Sequence, residues 1–546
     1  MTRLEADLIN TIKEALEKAF PGMKDGFVRG ISLEIPKEKK FGDFSTSIAM
    51  KLSRELKKSP LDIAADIIKH IEISGVVRDV KIEKPGFINF YISNKAVADA
   101  LQEIITRGAA FGSSDAGKGK KTQIEFVSAN PTGPLTVAHG RQAAIGDSLA
   151  RILRFCGYEV VKEYYINDEG VQIQALGKSL KARFAELAGG KSEFPENGYK
   201  GRYIYDMAQK LKDNTLPGKE ADLKDDFFME HAASEIMNTI KKDLEDFGVH
   251  FDVWYSQKSL AKSGKIEKAL EILENKKFLY RKDGAVWFRS TDFGDDKDRV
   301  LIKNDGSYTY VTPDIAYHKE KFEKGYDRVI NIWGPDHHGY ISRIKAACQA
   351  LGYDKEKLSI LIAQLVTLYR DGKPVRMSTR DGEFITLREV MDEVGRDAAR
   401  FFFIMRKTDS HLDFDLALAK AETLDNPVYY IQYAHARISS IIDFSKNAAP
   451  NLENLALLDK QQEIDLIKGL IIYPRMINSA AVNLEPYILL AYLQDIAGLF
   501  HSYYSAHRIV TDDKTLTEAR IALVQTVKNV LASGLSLLGV TPLEKM

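Results

Sequence analysis

The sequence predicts an α/β fold: a parallel-sheet domain set between an N-terminal α/β unit and an all-helical C-terminal domain. Three observations predict it. Residues 123–166 run strand, Pro/Gly loop, helix, strand, the order of a parallel βαβ unit. Strand-like apolar runs return at 327–333 and 358–368, around a helical pattern at 341–351. From about Asp425 onward, apolar spacing is helical throughout and strand signals vanish. A chain of 546 residues suits several cores rather than one.

Taken in order, Leu4 to Phe20 is an amphipathic helix, with Leu8, Ile9, Ile12, Leu16 and Phe20 at helical spacing. Ile48–Leu56 and Pro60–Ile73 read as two more helices, and Val80–Tyr91 as a hairpin turning at Pro85-Gly86. This unit spans residues 1–111. The small, polar stretch 112–121 reads as a linker. The central domain, 122–424, opens with the strand Gln123–Ser128, a loop Asn130–Leu135 and a helix starting near His139. Its next strand is Val160–Ile166. Residues near 186–226 are polar and rich in Gly, Lys and Asp, as an insertion is. Residues 425–546 form the helical domain, with a stripe of Ile431, Ala434, Ile438, Ile441 and Ile442, and further stripes at 487–500 and 519–538.

Composition narrows the function. Lys+Arg and Asp+Glu both number 77, so bulk basic attraction to nucleic acid is absent, and any such binding must use local patches and shape. Two cysteines, Cys156 and Cys348, exclude a disulfide scaffold and a Cys-rich zinc site, and a reducing cytoplasm is the expected compartment. No apolar run approaches ~18 residues, so no membrane span is expected, and the acid-bearing N-terminus is unlike a secretory signal.

Candidate chemistry gathers at strand ends. Pro134-Leu135-Thr136-Val137-Ala138-His139-Gly140-Arg141 lies at a strand-to-helix turn, where free N–H groups and the helix dipole suit a phosphate. His139 can add a donor there; equally, it can merely cap the helix. Asp314, after Thr312-Pro313, stands where a helix should begin, as a pocket acid or as plain dipole compensation. Gly334-Pro335-Asp336-His337-His338-Gly339 follows a strand. Adjacent histidines cannot readily face one ion, so no metal site is expected. Arg370-Asp371-Gly372-Lys373 reads as a tight turn leading into Val375-Arg376-Met377-Ser378-Thr379-Arg380.

The first motif and the Arg376–Arg380 motif together resemble the HIGH and KMSKS signatures of class I aminoacyl-tRNA synthetases. Their flanks are similar to the arginyl-tRNA synthetase family. Phe41-Gly42-Asp43-Phe44-Ser45-Thr46 resembles its N-terminal tRNA-binding domain, and Tyr430-Ile431-Gln432-Tyr433-Ala434-His435-Ala436-Arg437 the start of its anticodon-binding domain. Gly539-Val540-Thr541-Pro542 resembles its ending. The sequence departs from the pattern at Thr136 and Ala138 in the first signature, and at Arg376 and Thr379 in the second. Gly133 stands where a compensating lysine occurs in some relatives. Phosphate stabilisation then falls to Arg376, Arg380, His139 or another base.

The resemblance implies a Rossmann-type catalytic domain that activates L-arginine with ATP and Mg²⁺ and transfers it to the 3′ end of the arginine tRNA, in a cytoplasmic monomer. It implies catalytic roles for His139, Arg376, Met377 and Ser378. Arginine contacts fall to Glu125, Ser128, Asn130, Tyr310, Asp314 and Gln364. ATP contacts fall to Asn130, Thr136, His139, Gly140, Gly334, Asp336, His337, Arg376 and Met377. On the residues alone, a class I synthetase for another amino acid and a catalytically inactive tRNA-binding relative stay open.

Overall fold

The computed structural model describes the whole chain except residues 1, 23–29, 37, 74, 191, 215–222, 376–383 and 446–450. Its centre is a five-stranded sheet in the order Leu358–Ile362, Arg328–Trp333, Lys121–Glu125, Glu159–Ile166, Val253–Ser256. Every neighbouring pair is parallel. The chain lays down 121–125, then 159–166 and 253–256 to one side, and returns on the other side with 328–333 and 358–362. Strand order therefore reverses between Lys121–Glu125 and Arg328–Trp333. A doubly wound sheet opens a crevice at such a point, outside the carboxyl ends of the strands.

The helix Val137–Phe155 follows the central strand and is buried along most of its length. The helix Val311–Glu323 leads into Arg328–Trp333, and Ile341–Leu351 follows it. Both central-strand boundaries differ from the sequence reading. The strand starts at Lys121, inside the expected linker, because Lys121 pairs with Glu159. It stops at Glu125 rather than Ser128, because Val127 and Ser128 turn to φ 67 and 40. The linker itself is ordered: the Gly117 backbone N–H donates to Cys156 O at 2.9 Å. The 358–368 run also divides. Leu358–Ile362 belongs to the central sheet, whereas Val366–Arg370 pairs with Leu412–Asp415 and with Lys373–Pro374 in a separate small sheet. The Asp371-Gly372 turn that joins Val366–Arg370 to Lys373–Pro374 takes positive φ at both residues, 52 and 72, as a type I′ two-residue hairpin requires.

The N-terminal unit has the expected helices Arg3–Ala19 and Ile48–Leu56, but Pro60–Ile68 ends five residues early. Its hairpin, Val77–Glu83 with Phe87–Ile92, gains a third strand, Phe44–Thr46, and a helix Asn94–Arg107 follows. This unit docks on the helical domain through Lys39–Asp465 at 2.7 Å, Lys468–Asp43 at 2.7 Å and Arg475–Glu5 at 3.0 Å. The helical domain is built on Pro427–Phe444, Gln461–Ile471, Tyr473–Asn483, Tyr487–Ala506 and Lys514–Leu537.

Candidate active site

The crevice at the reversal point is a cleft of about 610 Å³, lined by the ends of both strands and by the turns that follow them. Of the residues singled out in the sequence, it brings together Glu125, Ser128, Asn130, His139, Tyr310, Asp314, Gly334, Asp336 and His337. Thr136, Gly140 and Gln364 lie outside the lining. Arg376, Met377, Ser378, Thr379 and Arg380 lie outside the described residues.

The chain turns sharply as it leaves the central strand. The Ser128 N–H donates to Phe126 O at 2.9 Å, across Val127 at φ 67. Positive φ is an outlier for a β-branched residue, and a three-residue turn of that sense is rare and strained. It aims Ser128 back at the strand: its Oγ donates to Glu125 Oε1 at 3.0 Å and accepts the Tyr165 N–H at 3.1 Å. Asn130 is held by Gln172, its Nδ2 donating to Oε1 at 2.7 Å.

His139 sits on the first turn of Val137–Phe155. The Thr136 backbone N–H donates to His139 Nδ1 at 3.1 Å, closing a capping box at the helix start. Nδ1 is thus an acceptor, and the proton of the neutral ring lies on Nε2. Burial pushes the ring down to about 4, with Asp336 opposing, so His139 is a neutral donor near pH 7. Thr136 caps the helix and bridges to Thr386. Gly140 faces the opposite way, and a Cβ there would lie 2.7 Å from Leu387 and 2.9 Å from Phe403. Gly140 therefore serves close packing of the helix against the segment that follows residue 383. Gln364 is two residues past its strand. Its carbonyl accepts from Arg141 at 2.8 Å, and its side-chain Oε1 accepts the Leu365 N–H at 3.0 Å.

The acids are the other half of the site. Asp314 lies on the first turn of Val311–Glu323, as the Thr-Pro signal indicated. It has no cation within ion-pair distance among the described residues. Burial pushes its carboxyl up to about 7; the Glu125 charge adds to this, and Tyr340, Lys321 and Arg343 oppose it. Glu125 differs. Burial would raise it, but the Lys321 ammonium, ion-paired to Oε2, holds it below the usual carboxylate range. Tyr310 stands at the rim, 80% exposed. Asp336 and His337 pair at 3.6 Å on the far wall, beside Gly334.

Sequence reasoning missed Gln142, Tyr165, Gln257, Tyr317, His318, Trp333 and Tyr340 in the lining, and Lys321 beneath it. A signal was present. Asp314, Tyr317, His318 and Lys321 recur at i, i+3, i+4 and i+7, a polar stripe on a helix that is buried almost all round. Among the described residues the lining holds no Lys or Arg. Chemically, the cleft offers a carboxylate for a cation, a neutral imidazole donor, and the free N–H end of a buried helix for an anion.

Comparisons agree with this layout in order and extent. The arginyl tRNA synthetase N terminal domain matches residues 6–92. The tRNA synthetases class I (R) catalytic domain matches 100–438, and the DALR anticodon binding domain matches 431–546. The arginine–tRNA ligase of Syntrophotalea carbinolica is 47% identical over 549 residues, covering 98% of this chain and 99% of that protein. The arginine–tRNA ligase of Listeria monocytogenes is 46% identical over 555 residues, covering 100% of both. In fold, the chain is similar to Thermus thermophilus arginyl-tRNA synthetase, with a TM-score of 0.78 at 21% identity over 99% of this chain and 100% of that one. With its three domains matched in sequence and its full length shared with such relatives, the chain belongs to the arginyl-tRNA synthetase family.

Proposed function

We propose that the cleft at the strand reversal is where this arginine–tRNA ligase joins L-arginine to ATP and passes the arginyl group to the arginine tRNA. The observation that carries the reading is Asp314: a cleft-facing carboxyl with no cation at ion-pair distance among the described residues, raised by its surroundings. A guanidinium supplies the missing charge and a planar set of donors. Glu125, Ser128 and Asn130, at the end of the central strand, face the amino-acid end of the substrate.

In the first step a carboxylate oxygen of arginine attacks the α-phosphorus of ATP, and the bond to pyrophosphate breaks in line. No protein nucleophile is needed, so the enzyme contributes position and charge stabilisation. His139 Nε2–H donates to a phosphate oxygen as negative charge builds on the leaving group. The start of Val137–Phe155 adds its dipole. Gly334, Asp336 and His337 line the side of the cleft we assign to the nucleoside. In the second step a terminal ribose hydroxyl of the tRNA attacks the arginyl carbonyl, and AMP leaves.

Mg²⁺ fits this site as a phosphate-bound ion. It keeps several waters and needs only one or two protein carboxylates, and Asp336 is an exposed one on the cleft wall. Bound there, it would neutralise phosphate charge.

The helical domain suits anticodon reading. Tyr429 and Tyr433 stack at 6.0 Å, His501 follows at 5.9 Å, and the Arg437 guanidinium lies 5.2 Å from the Tyr504 ring. Half-exposed rings with a cation form a platform for unstacked bases. We further assign the enzyme to the cytoplasm as a monomer, with domain limits near 111 and 425; no described helix is long and apolar enough to cross a membrane.

ATP–pyrophosphate exchange with the arginine tRNA present tests the reading. Exchange that depends on L-arginine, and that Asp314→Asn weakens through the arginine KM, supports it. Unaltered arginine dependence in that variant removes the cleft assignment.

A further inference from the structure

Lys321 is 1% exposed, on the last turns of Val311–Glu323 beneath the cleft floor. A buried ammonium is costly unless every proton finds a partner. Here it has three. It ion-pairs with Glu125 Oε2. It donates to Asn331 Oδ1 at 2.9 Å, and it lies 4.3 Å from the centre of the Tyr317 ring. Because a lysine can only donate, the Asn331 oxygen must face it, and the Asn331 amide nitrogen then faces His318 Nε2 at 2.8 Å. That nitrogen can only donate, so His318 Nε2 accepts and Nδ1 carries the proton. His318 Nδ1–H donates to the Asp314 carbonyl, 2.8 Å away. The chain of donors runs one way, from Lys321 to the backbone of Asp314.

We propose that Lys321 is a positioning residue for arginine: one buried ammonium fixes Glu125 as a charged acceptor and, through Asn331 and His318, holds the turn that presents Asp314. This deepens the reading of the cleft given above and rests on it. It also sets the charge of the site. Glu125 and Lys321 cancel, His318 is neutral, and Asp314 remains the one acid of the pair that a substrate cation can satisfy. Without Lys321, two carboxylates would face each other in a poorly solvated site, and one would take up a proton. The groups facing Asp314 are Glu125 from the central strand, Tyr165 from the next strand, Tyr340 and Arg343 from the segment after Trp333, and Lys321. Those facing Glu125 are Lys321, His318, Ser128, Tyr317, Tyr165 and Asp314.

The test measures L-arginine binding to the full-length enzyme by calorimetry across pH, beside the KM for ATP. Lys321→Met should weaken arginine binding by about 10–100-fold. It should also move the acid limb of binding up by about one pH unit, with the ATP KM held within about threefold. Lys321→Arg, which restores the cation, should return the limb to its wild-type place. An unmoved limb in Lys321→Met, or arginine and ATP constants rising together, overturns the proposal. Should Lys321→Met fail to fold, Asn331→Ala decides: weaker arginine binding with intact ATP use supports the relay, and unchanged arginine binding overturns it. Asp314→Asn separates the two levels. If arginine binds that variant normally, the cleft reading itself has failed; if only the lysine variants are silent, this inference alone has.

Discussion

His139 Nδ1 accepts the backbone N–H of Thr136 at 3.1 Å, so one ring nitrogen closes the helix and the other faces the cleft. The capping role and the proposed catalytic role are therefore not alternatives. His139→Ala removes the cap and the proposed donor, with separable effects. The lost cap should cost about 1 kcal/mol of stability. The lost donor should slow arginyl-adenylate formation by about 10²–10³-fold. A single-turnover rate within about threefold of wild type would show that Nε2 does not touch the reacting phosphates. Since burial holds the ring near 4, it should stay a neutral donor down to about pH 5, and should give the rate no limb near its ordinary value.

The acid limb should come from Asp314 instead. Its carboxyl is raised to about 7 in the free enzyme, and in the proposed site arginine pairs with the ionised form. So kcat/KM for arginine should fall about tenfold per pH unit below about 7, while kcat, which reports the bound state, should hold to lower pH. The stability sign follows. The folded carboxyl sits above its unfolded value of 3.8, so the native state keeps a proton that the unfolded chain has lost. Stability then declines as pH rises from 3.8 to about 7. L-Arginine, which favours the ionised form, should raise Tm more at about pH 8 than at about pH 5.5. Equal gains at both would place Asp314 away from the ligand.

Much of this fold was legible because its elements carry local signals. The helix Ile341–Leu351 and the Asp371-Gly372 turn lie where apolar spacing and turn chemistry put them. Phe44–Thr46 did not, since three residues are too short to show a period, and its place is set by pairing with Phe90 far along the chain. Val366–Arg370 read as one strand with its predecessor because the apolar run is continuous. Only its pairing with Leu412–Asp415 moves it to another sheet. In the site, Glu125 and Ser128 at a strand end and Asp314 at a helix start were visible, whereas Tyr317, His318 and Lys321, further along Val311–Glu323, were not. A polar stripe such as Asp314, Tyr317, His318 and Lys321 reads as a solvated face until the fold buries it.

Beneath the sheet, Asp147 is fully buried with Arg400, equally buried, at 2.8 Å and with Lys162 at 2.9 Å. Arg151 completes the set at 2.8 Å. Burial alone would raise this carboxyl, but Arg400, Lys162 and Arg151 together hold it well below its ordinary value. Its stabilisation is thus present above 3.8 and lost as pH falls below that. Asp147→Asn leaves buried cations without their anion and should cost about 3–5 kcal/mol. Arg400 also donates to Leu538 O at 3.2 Å, at the end of the helical domain. The same variant should therefore loosen the catalytic and helical domains from each other. Denaturant unfolding with probes in each domain should show transitions that lie further apart in the variant than in wild type.

Gly140→Ala adds a methyl that must enter a space held by Leu387 at 2.7 Å and Phe403 at 2.9 Å. Overpacking of this kind costs about 1–3 kcal/mol. The relief available is a shift of the helix start, which carries His139. Activation should therefore fall along with Tm. A variant that loses stability with an unchanged activation rate would show that the helix absorbs the methyl elsewhere.

The side-chain pocket gives the most selective test. Citrulline has nearly the shape of arginine but carries a neutral urea in place of the guanidinium. Bound against Asp314, it leaves the carboxyl either ionised without a cation or protonated, and neither is the state that arginine stabilises. Sites built around a specific polar partner reject analogues that lack it by about 10⁴–10⁵. Here Asp314 already sits near 7, so the protonated form is cheap to reach and can hydrogen-bond the urea oxygen. The expected discrimination is therefore lower, at least ~10³-fold in kcat/KM, and it should shrink as pH falls below about 7. Asp314→Asn should narrow the gap chiefly by harming arginine, because a charge-assisted bond becomes a neutral one. Dipole compensation alone makes a different prediction: Asp314 is in the first turn but not at the N-cap, so Asn would cost about 0.3–1 kcal/mol of stability and leave arginine use nearly unchanged. Steady-state aminoacylation of the arginine tRNA with both amino acids, in both enzymes and at two pH values, separates these. Wild-type arginine kcat/KM in Asp314→Asn would mean that the guanidinium is held elsewhere in the cleft.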